Sequence, residues 1–141
     1  MAYTVKRVDV WSGEIEDRAG GLAAKLGPLA DAGANLAFVI ARRQPHIPGR
    51  GVVFLGPLSG AKQQKVAQAA GLSKANDLFA LQVEGTNKPG SGYQITRKLA
   101  DAGINIRGIS AGATGTKFVL FVAFDSSADV AEAARLLRSG K

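Results

Sequence analysis

The chain has 141 residues, 46% of them hydrophobic, no cysteine, and a formal net charge of +7. That length holds one domain or two small ones sharing a core; the hydrophobic content excludes a disordered chain, and the missing cysteine excludes disulfides and thiolate chemistry. The longest apolar run, residues 118–124, is far too short to span a bilayer, and residues 1–9 hold no apolar run of signal-peptide length, so the expected compartment is the cytoplasm.

In chain order, residues 3–11 alternate Tyr3, Val5, Val8, Val10 and Trp11 with polar residues and read as a strand, with a slip at Lys6-Arg7 that marks a bulge. Residues 12–18 read as a polar loop with three acids. A helix is predicted over 20–32, with Leu22, Leu26 and Leu29 on one face and Pro28 inside it as a kink or a limit on its start. Residues 35–41 and 51–55 read as strands joined by a polar loop, 42–50, and 61–70 as a second helix closed by Gly71. Residues 73–77 are the candidate linker. The order then repeats: strand 78–83, helix 90–102, strand 104–111, turn 112–115, strand 117–124, and helix 128–137 capped by Ser126 or Ser127.

The repetition is direct. Residues 17–36 match residues 87–106 without a gap, at a constant offset of 70. Leu29-Ala30-Asp31-Ala32-Gly33 recurs as Leu99-Ala100-Asp101-Ala102-Gly103, and Gly20, Asn35 and Arg18 fall on Gly90, Asn105 and Lys88. Each copy is a strand–helix–strand–strand–helix unit. Right-handed crossover puts both helices on one face of an antiparallel sheet, a ferredoxin-like α+β layer. The expected domains are 1–72 and 73–141. A full layer of this kind ends in a fourth strand beside its first, and that strand is read as missing from both copies. The open edge predicts pairing between copies or with a second chain.

The loop at 87–92, Asn-Lys-Pro-Gly-Ser-Gly, opens the second helix unit. Unpaired N–H groups at such a helix start, beside glycine-rich backbone, suit a carboxylate or small anion. The same glycines also simply permit a tight turn. Asn35 and Asn105 read equally as ligand contacts or as turn residues. His46 is the lone histidine; without cysteine or a second histidine it makes no metal site, and no base, nucleophile and orienting group converge on a catalytic reading. The expectation is no catalytic residue, metal or cofactor, and no enzyme.

Asn87-Lys88-Pro89-Gly90, followed by a helix ending Ala102-Gly103-Ile104-Asn105-Ile106, resembles the loop and helix of the ACT domain; Asp17-Arg18-Ala19-Gly20 and Ala32-Gly33-Ala34-Asn35-Leu36 resemble it less closely. Ser91-Gly92 stand where that family carries an apolar pair. The resemblance implies two tandem ferredoxin-like ACT-type repeats, βαββα(β), with helices on one sheet face. It implies a regulatory binding module for a small amino acid or related carboxylate, held at interfaces between copies, with a homodimer and a regulated metabolic enzyme as partners. Carried over by position, the ligand-binding residues are Asn87, Lys88, Gly90, Ser91 and Asn105, with Asp17, Gly20 and Asn35 in the first copy. The asparagine is expected from the paired copy.

Two alternatives stand beside it. A basic ferredoxin-like nucleic-acid binder is suggested by the charge, by Arg42, Arg43 and Arg50 flanking one hairpin, and by Lys117, Phe121, Val122 and Phe124 falling in register with an RNA-recognition strand. Against it, Val119 occupies the position of a stacking aromatic. The positive charge is also spread evenly, nine Lys/Arg in residues 1–70 and nine in 71–141, which serves solubility. The other alternative is an interaction scaffold that has lost its ligand.

Overall fold

The structure is a computed structural model and describes residues 3–138. It contains β1 (Thr4–Val8), β2 (Trp11–Glu16), α1 (Gly21–Asp31), β3 (Phe38–Arg43), β4 (Arg50–Gly56), α2 (Gly60–Ala69), β5 (Ser73–Lys74), β6 (Phe79–Thr86), α3 (Ser91–Asp101), β7 (Gly108–Thr114), β8 (Lys117–Phe124) and α4 (Ser127–Arg138). The strands form two antiparallel four-stranded sheets, ordered β3-β4-β2-β5 and β1-β6-β8-β7. Each is the ferredoxin-like order, with the first strand of the repeat central and the last strand beside it.

In the unit Asp9–Ala75, Trp11, Leu29, Val53, Leu55, Leu58, Ala67 and Leu72 form the core. The strand β2 falls on residues read above as a polar loop. Its inward positions are Trp11, Gly13 and Ile15, and the glycine hides the alternation. A methyl group at Gly13 would stand 2.8 Å from the Gly71 carbonyl oxygen, so no larger residue fits under that crossing chain. The expected linker contributes β5, whose two residues pair with Trp11 and Ser12. The helix α1 continues through Pro28 to Asp31 and is as long as α3, 11 residues each.

The other unit takes the described residues through Val8 together with those from Asn76 onward. Here β1, expected to lead the first repeat, pairs antiparallel with β6, from Thr4 opposite Glu84 to Val8 opposite Ala80. It is the fourth strand of the second repeat, placed at the front of the chain. The sequence division at residue 72 and the compact units therefore differ by two strands, β1 at the front of the chain and β5 just past the division. The strand expected over 3–11 is in fact two, broken between Val8 and Trp11. Val5 joins the core of Leu81, Val83, Ile95, Leu99, Leu120, Val122, Phe124 and Leu137. The side chain of Arg138 at the end of α4 also reaches the Val5 carbonyl, at 3.2 Å. The helix α4 presents Val130, Ala133, Ala134 and Leu137, spaced for one buried face, and Ser126 Oγ accepts the Asp129 N–H at 3.1 Å as its cap.

The third and seventh strands begin later than expected, at Phe38 and Gly108. Ala34, Leu36, Ile104 and Ile106 pack against the cores in the return from the helix, before pairing begins. Their hydrophobicity is burial without a ladder.

Candidate functional site

The two loops are built alike. Gly20 and Gly90 both sit at φ 84° immediately before α1 and α3, a left-handed conformation that glycine adopts without penalty. Each loop is anchored to the hairpin beside it: the Asp17 N–H donates to the Gly49 carbonyl at 3.0 Å, and the Asn87 N–H to the Thr116 carbonyl at 2.8 Å. Neither helix has a side-chain cap at its start or an acidic residue in its first turn. The positive end of each helix dipole is thus left to its surroundings.

The surroundings differ. In the second loop Asn87, Lys88, Pro89 and Gly90 are exposed and Ser91 is buried. Ser91 Oγ accepts the Lys88 N–H at 3.3 Å and donates to the Lys88 carbonyl at 2.9 Å. Its hydroxyl is committed within the loop, so Ser91 shapes the turn from inside. Tyr93, 69% exposed, stands in the first turn of α3 and was not singled out by the motif. In the first loop, Asp17 Oδ2 accepts from Arg43 Nε at 2.6 Å. Glu16 pairs with Arg18. The hydrogen bond and charge of Arg18, with a smaller contribution from Arg50, hold the Glu16 carboxyl below its ordinary value. Gly21 there corresponds to Ser91, and a methyl group on it would overlap the Glu16 carbonyl oxygen. The pairing of Asp17 with Arg43 joins residues 26 positions apart in the chain and left no local signal.

Asn35 and Asn105 are exposed, at the opposite ends of α1 and α3 from the loops. An 11-residue helix is roughly 16 Å long, so neither asparagine reaches the loop of its own copy. Arg107, two residues past Asn105, donates to the Asp77 carbonyl at 2.8 Å and fixes the return from α3.

Two clefts accompany the loops. One of about 340 Å³ in the first unit is lined by Glu14, Glu16, Arg18, Lys25 and Arg50, with apolar contributions from Ile15 and Pro28. Its charges are largely spent: Glu16 on Arg18, and Lys25 Nζ on the Ala70 carbonyl at 2.6 Å. The other, about 330 Å³, lies in the second unit at one end of its sheet. Among the described residues no cluster of His, Cys, Asp or Glu has the makings of a metal site, and no helix is long and apolar enough to cross a membrane. On the RNA-recognition register, Phe121 is partly buried and Val119 faces the same side of β8.

The family model described as the ACT domain matches residues 79–139. No curated protein matches the chain in sequence. Among solved structures, a protein from Bacteroides thetaiotaomicron superposes with a TM-score of 0.79 at 14% identity, covering 96% of this chain and 90% of that one. The ligand-free regulatory subunit of aspartate kinase from Thermus thermophilus gives 0.67 at 13% identity, covering 99% and 96%. The corresponding subunit from Thermus flavus gives 0.60 at 18%, again covering 99% and 96%. At these identities the likeness is one of fold. Residues 79–139 thus match the ACT domain model, and the two sheets share the fold of these solved structures, two ferredoxin-like repeats.

Proposed function

We propose that the chain is a non-enzymatic regulatory protein of the cytoplasm that binds a small amino acid or related carboxylate at the loop opening α3. The observation that carries this reading is the start of that helix: left-handed Gly90, no side-chain cap, no acid in the first turn, and exposed Asn87 and Lys88 beside it. Backbone N–H groups there receive the carboxylate, with Lys88 adding positive charge. Gly90 leaves the approach open, since nothing lies within 4 Å of where its side chain would begin. Asn87 offers both a donor and an acceptor, and Ser91 holds the turn. Asn105 or Asn35 completes the site from a paired copy, because neither reaches its own loop. The loop at Asp17 and Gly20 is the weaker site, its acid already paired with Arg43.

Pairing of copies is supplied by a homodimer. The strand β7 lies at the sheet edge, bonded to β8 on one side, and Gly108, Ile109, Ala111, Gly112, Ala113 and Thr114 along it are exposed and uncharged. An edge of that kind invites a second strand. The regulatory subunits of aspartate kinase that share the fold support a metabolic enzyme as the regulated partner. Isothermal titration of the protein against the individual amino acids tests the reading. Saturable heat with at least one of them is expected; silence across the set, with salt-sensitive binding to RNA instead, overturns it.

A further inference from the structure

The sheet of the unit Asp9–Ala75 has a gap along one edge. The strand β5 covers β2 only at Trp11 and Ser12. The chain at Gly71 and Leu72 then crosses beside Gly13, and among the described residues no strand pairs with Glu14–Glu16 on that side. Backbone groups along an antiparallel strand point alternately to its two neighbours. The Asp17 N–H bonds Gly49 on the β4 side, and the Val10 carbonyl accepts from Ala75 on the β5 side at 2.8 Å. The even-numbered residues of β2 therefore present their N–H and C=O to the β5 side. There the Glu16 carbonyl takes the Arg18 N–H, whereas the N–H and C=O of Glu14 and the N–H of Glu16 have no backbone partner among the described residues.

The cleft of about 340 Å³ lies along this stretch, with Glu14, Ile15 and Glu16 on one side and Ala24, Lys25, Pro28 and Ala70 on the other. Glu16 is held by Arg18, and the Lys25 ammonium by the Ala70 carbonyl. Of the two acids, Glu14 has no ion pair among the described residues. The cleft thus offers three unpaired backbone groups, an apolar floor and one carboxylate. The other unit shows what such an edge accepts. There β1 lies antiparallel on β6, with Val5 in the core and Thr4 and Lys6 exposed. A strand laid on Glu14–Glu16 in the same sense puts its central side chain opposite Ile15, on the helix side, and the flanking two beside Glu16 and Glu14. Three residues span the gap, roughly 10 Å.

We propose that this edge is a docking site for a short extended segment of a partner protein, which adds antiparallel to β2 with an aliphatic side chain over Ile15 and a lysine or arginine beside Glu14. The segment's residue opposite Glu14 exchanges two backbone hydrogen bonds with it, and the residue opposite Glu16 accepts from the Glu16 N–H. In strand addition of this kind the backbone supplies affinity; the apolar floor and Glu14 supply selectivity. The loop at Asn87 takes no part.

The test is a two-dimensional amide NMR titration of the full chain with the tripeptide acetyl-Thr-Val-Lys-amide, which copies Thr4-Val5-Lys6 of β1. At millimolar peptide the amides of Glu14 and Glu16 are expected to shift. Methylating the lysine backbone nitrogen of the peptide removes the bond to the Glu14 carbonyl and is expected to weaken binding at least about tenfold. Glu14→Lys is expected to weaken it to a similar degree, and Ala24→Trp, which fills the apolar floor, to abolish it. Both positions are exposed, so the thermal midpoint stays unchanged. Absence of shifts at residues 13–16, equal binding of the methylated peptide, or shifts confined to β6, where the peptide replaces β1, would overturn the proposal. So would shifts at Glu14 and Glu16 that follow protein concentration without peptide, which assign the edge to a second copy. None of these outcomes bears on the loop at Asn87.

Discussion

Adjacent glycines in the first loop are held by different constraints, and substitution separates them. Gly20 needs its left-handed backbone but has open space around it, whereas Gly21 is crowded by the Glu16 carbonyl. Gly20→Ala is expected to cost about 1–2 kcal/mol, the penalty of a side chain in that conformation. Gly21→Ala is expected to cost about 3 kcal/mol, because the backbone itself must move. Urea denaturation of the two variants measures both, and equal losses would contradict the crowding. Asn87→Asp puts a negative charge where the ligand carboxylate is received and should weaken amino-acid binding more than Asp17→Asn. The latter removes an exposed ion pair with Arg43, which contributes less than about 1 kcal/mol to stability. Abolition of binding by Asp17→Asn alone would make the first loop the principal site.

At the scale of elements, β1 decides whether the second repeat is complete. It covers the edge of β6 over five residue pairs and places Val5 in the core. In the first repeat the equivalent strand has shrunk to the two residues of β5. Val5→Ala is expected to destabilise by about 1–3 kcal/mol through the cavity it leaves. Deletion of residues 1–8 exposes the β6 edge, and the shortened chain should aggregate. Measured solubility and denaturation midpoints equal to those of the full chain would show that β1 adds nothing.

The whole molecule carries two further expectations. The carboxyl of Glu132 is held below its ordinary value first by its hydrogen bond from Arg135, as Glu16 is by Arg18. A depressed folded-state value means that the stabilisation is present above the unfolded value of about 4.3 and lost as pH falls through the folded one. Thermal midpoints should therefore drop on acidification from about pH 5 to pH 3, less steeply in Glu132→Gln, and the effect should shrink in high salt. A midpoint that rises over that range would reverse the sign. The second expectation is the homodimer: light scattering should show twice the chain mass at micromolar concentration, and Ile109→Lys, which sets like charges at the β7 edge, should return it to a monomer.

The duplication, the four helices and the glycine stops of the first three were legible from the sequence because they rest on local chemistry. Gly33 and Gly103 lie left-handed just past α1 and α3, which begin and end at residues 70 positions apart, as the ungapped match requires. The loop at Asn87 and Gly90 was legible for the same reason: a helix start is a property of neighbouring residues. Other features belong to long-range pairing. The assignment of β1 to β6, the strand β2 hidden by Gly13, and the two-residue β5 depend on which backbone edges meet, and β-strand hydrogen bonds are indifferent to sequence distance. The pairing of Asp17 with Arg43 and the placing of Glu14 at an open edge depend on register. A shift of one residue would turn either side chain to the opposite face. The sequence by itself determined the repeated unit and the chemistry of its loops; the tertiary structure decided which strands close each sheet and which charges face one another, because sheet edges and register are set by partners remote in the chain.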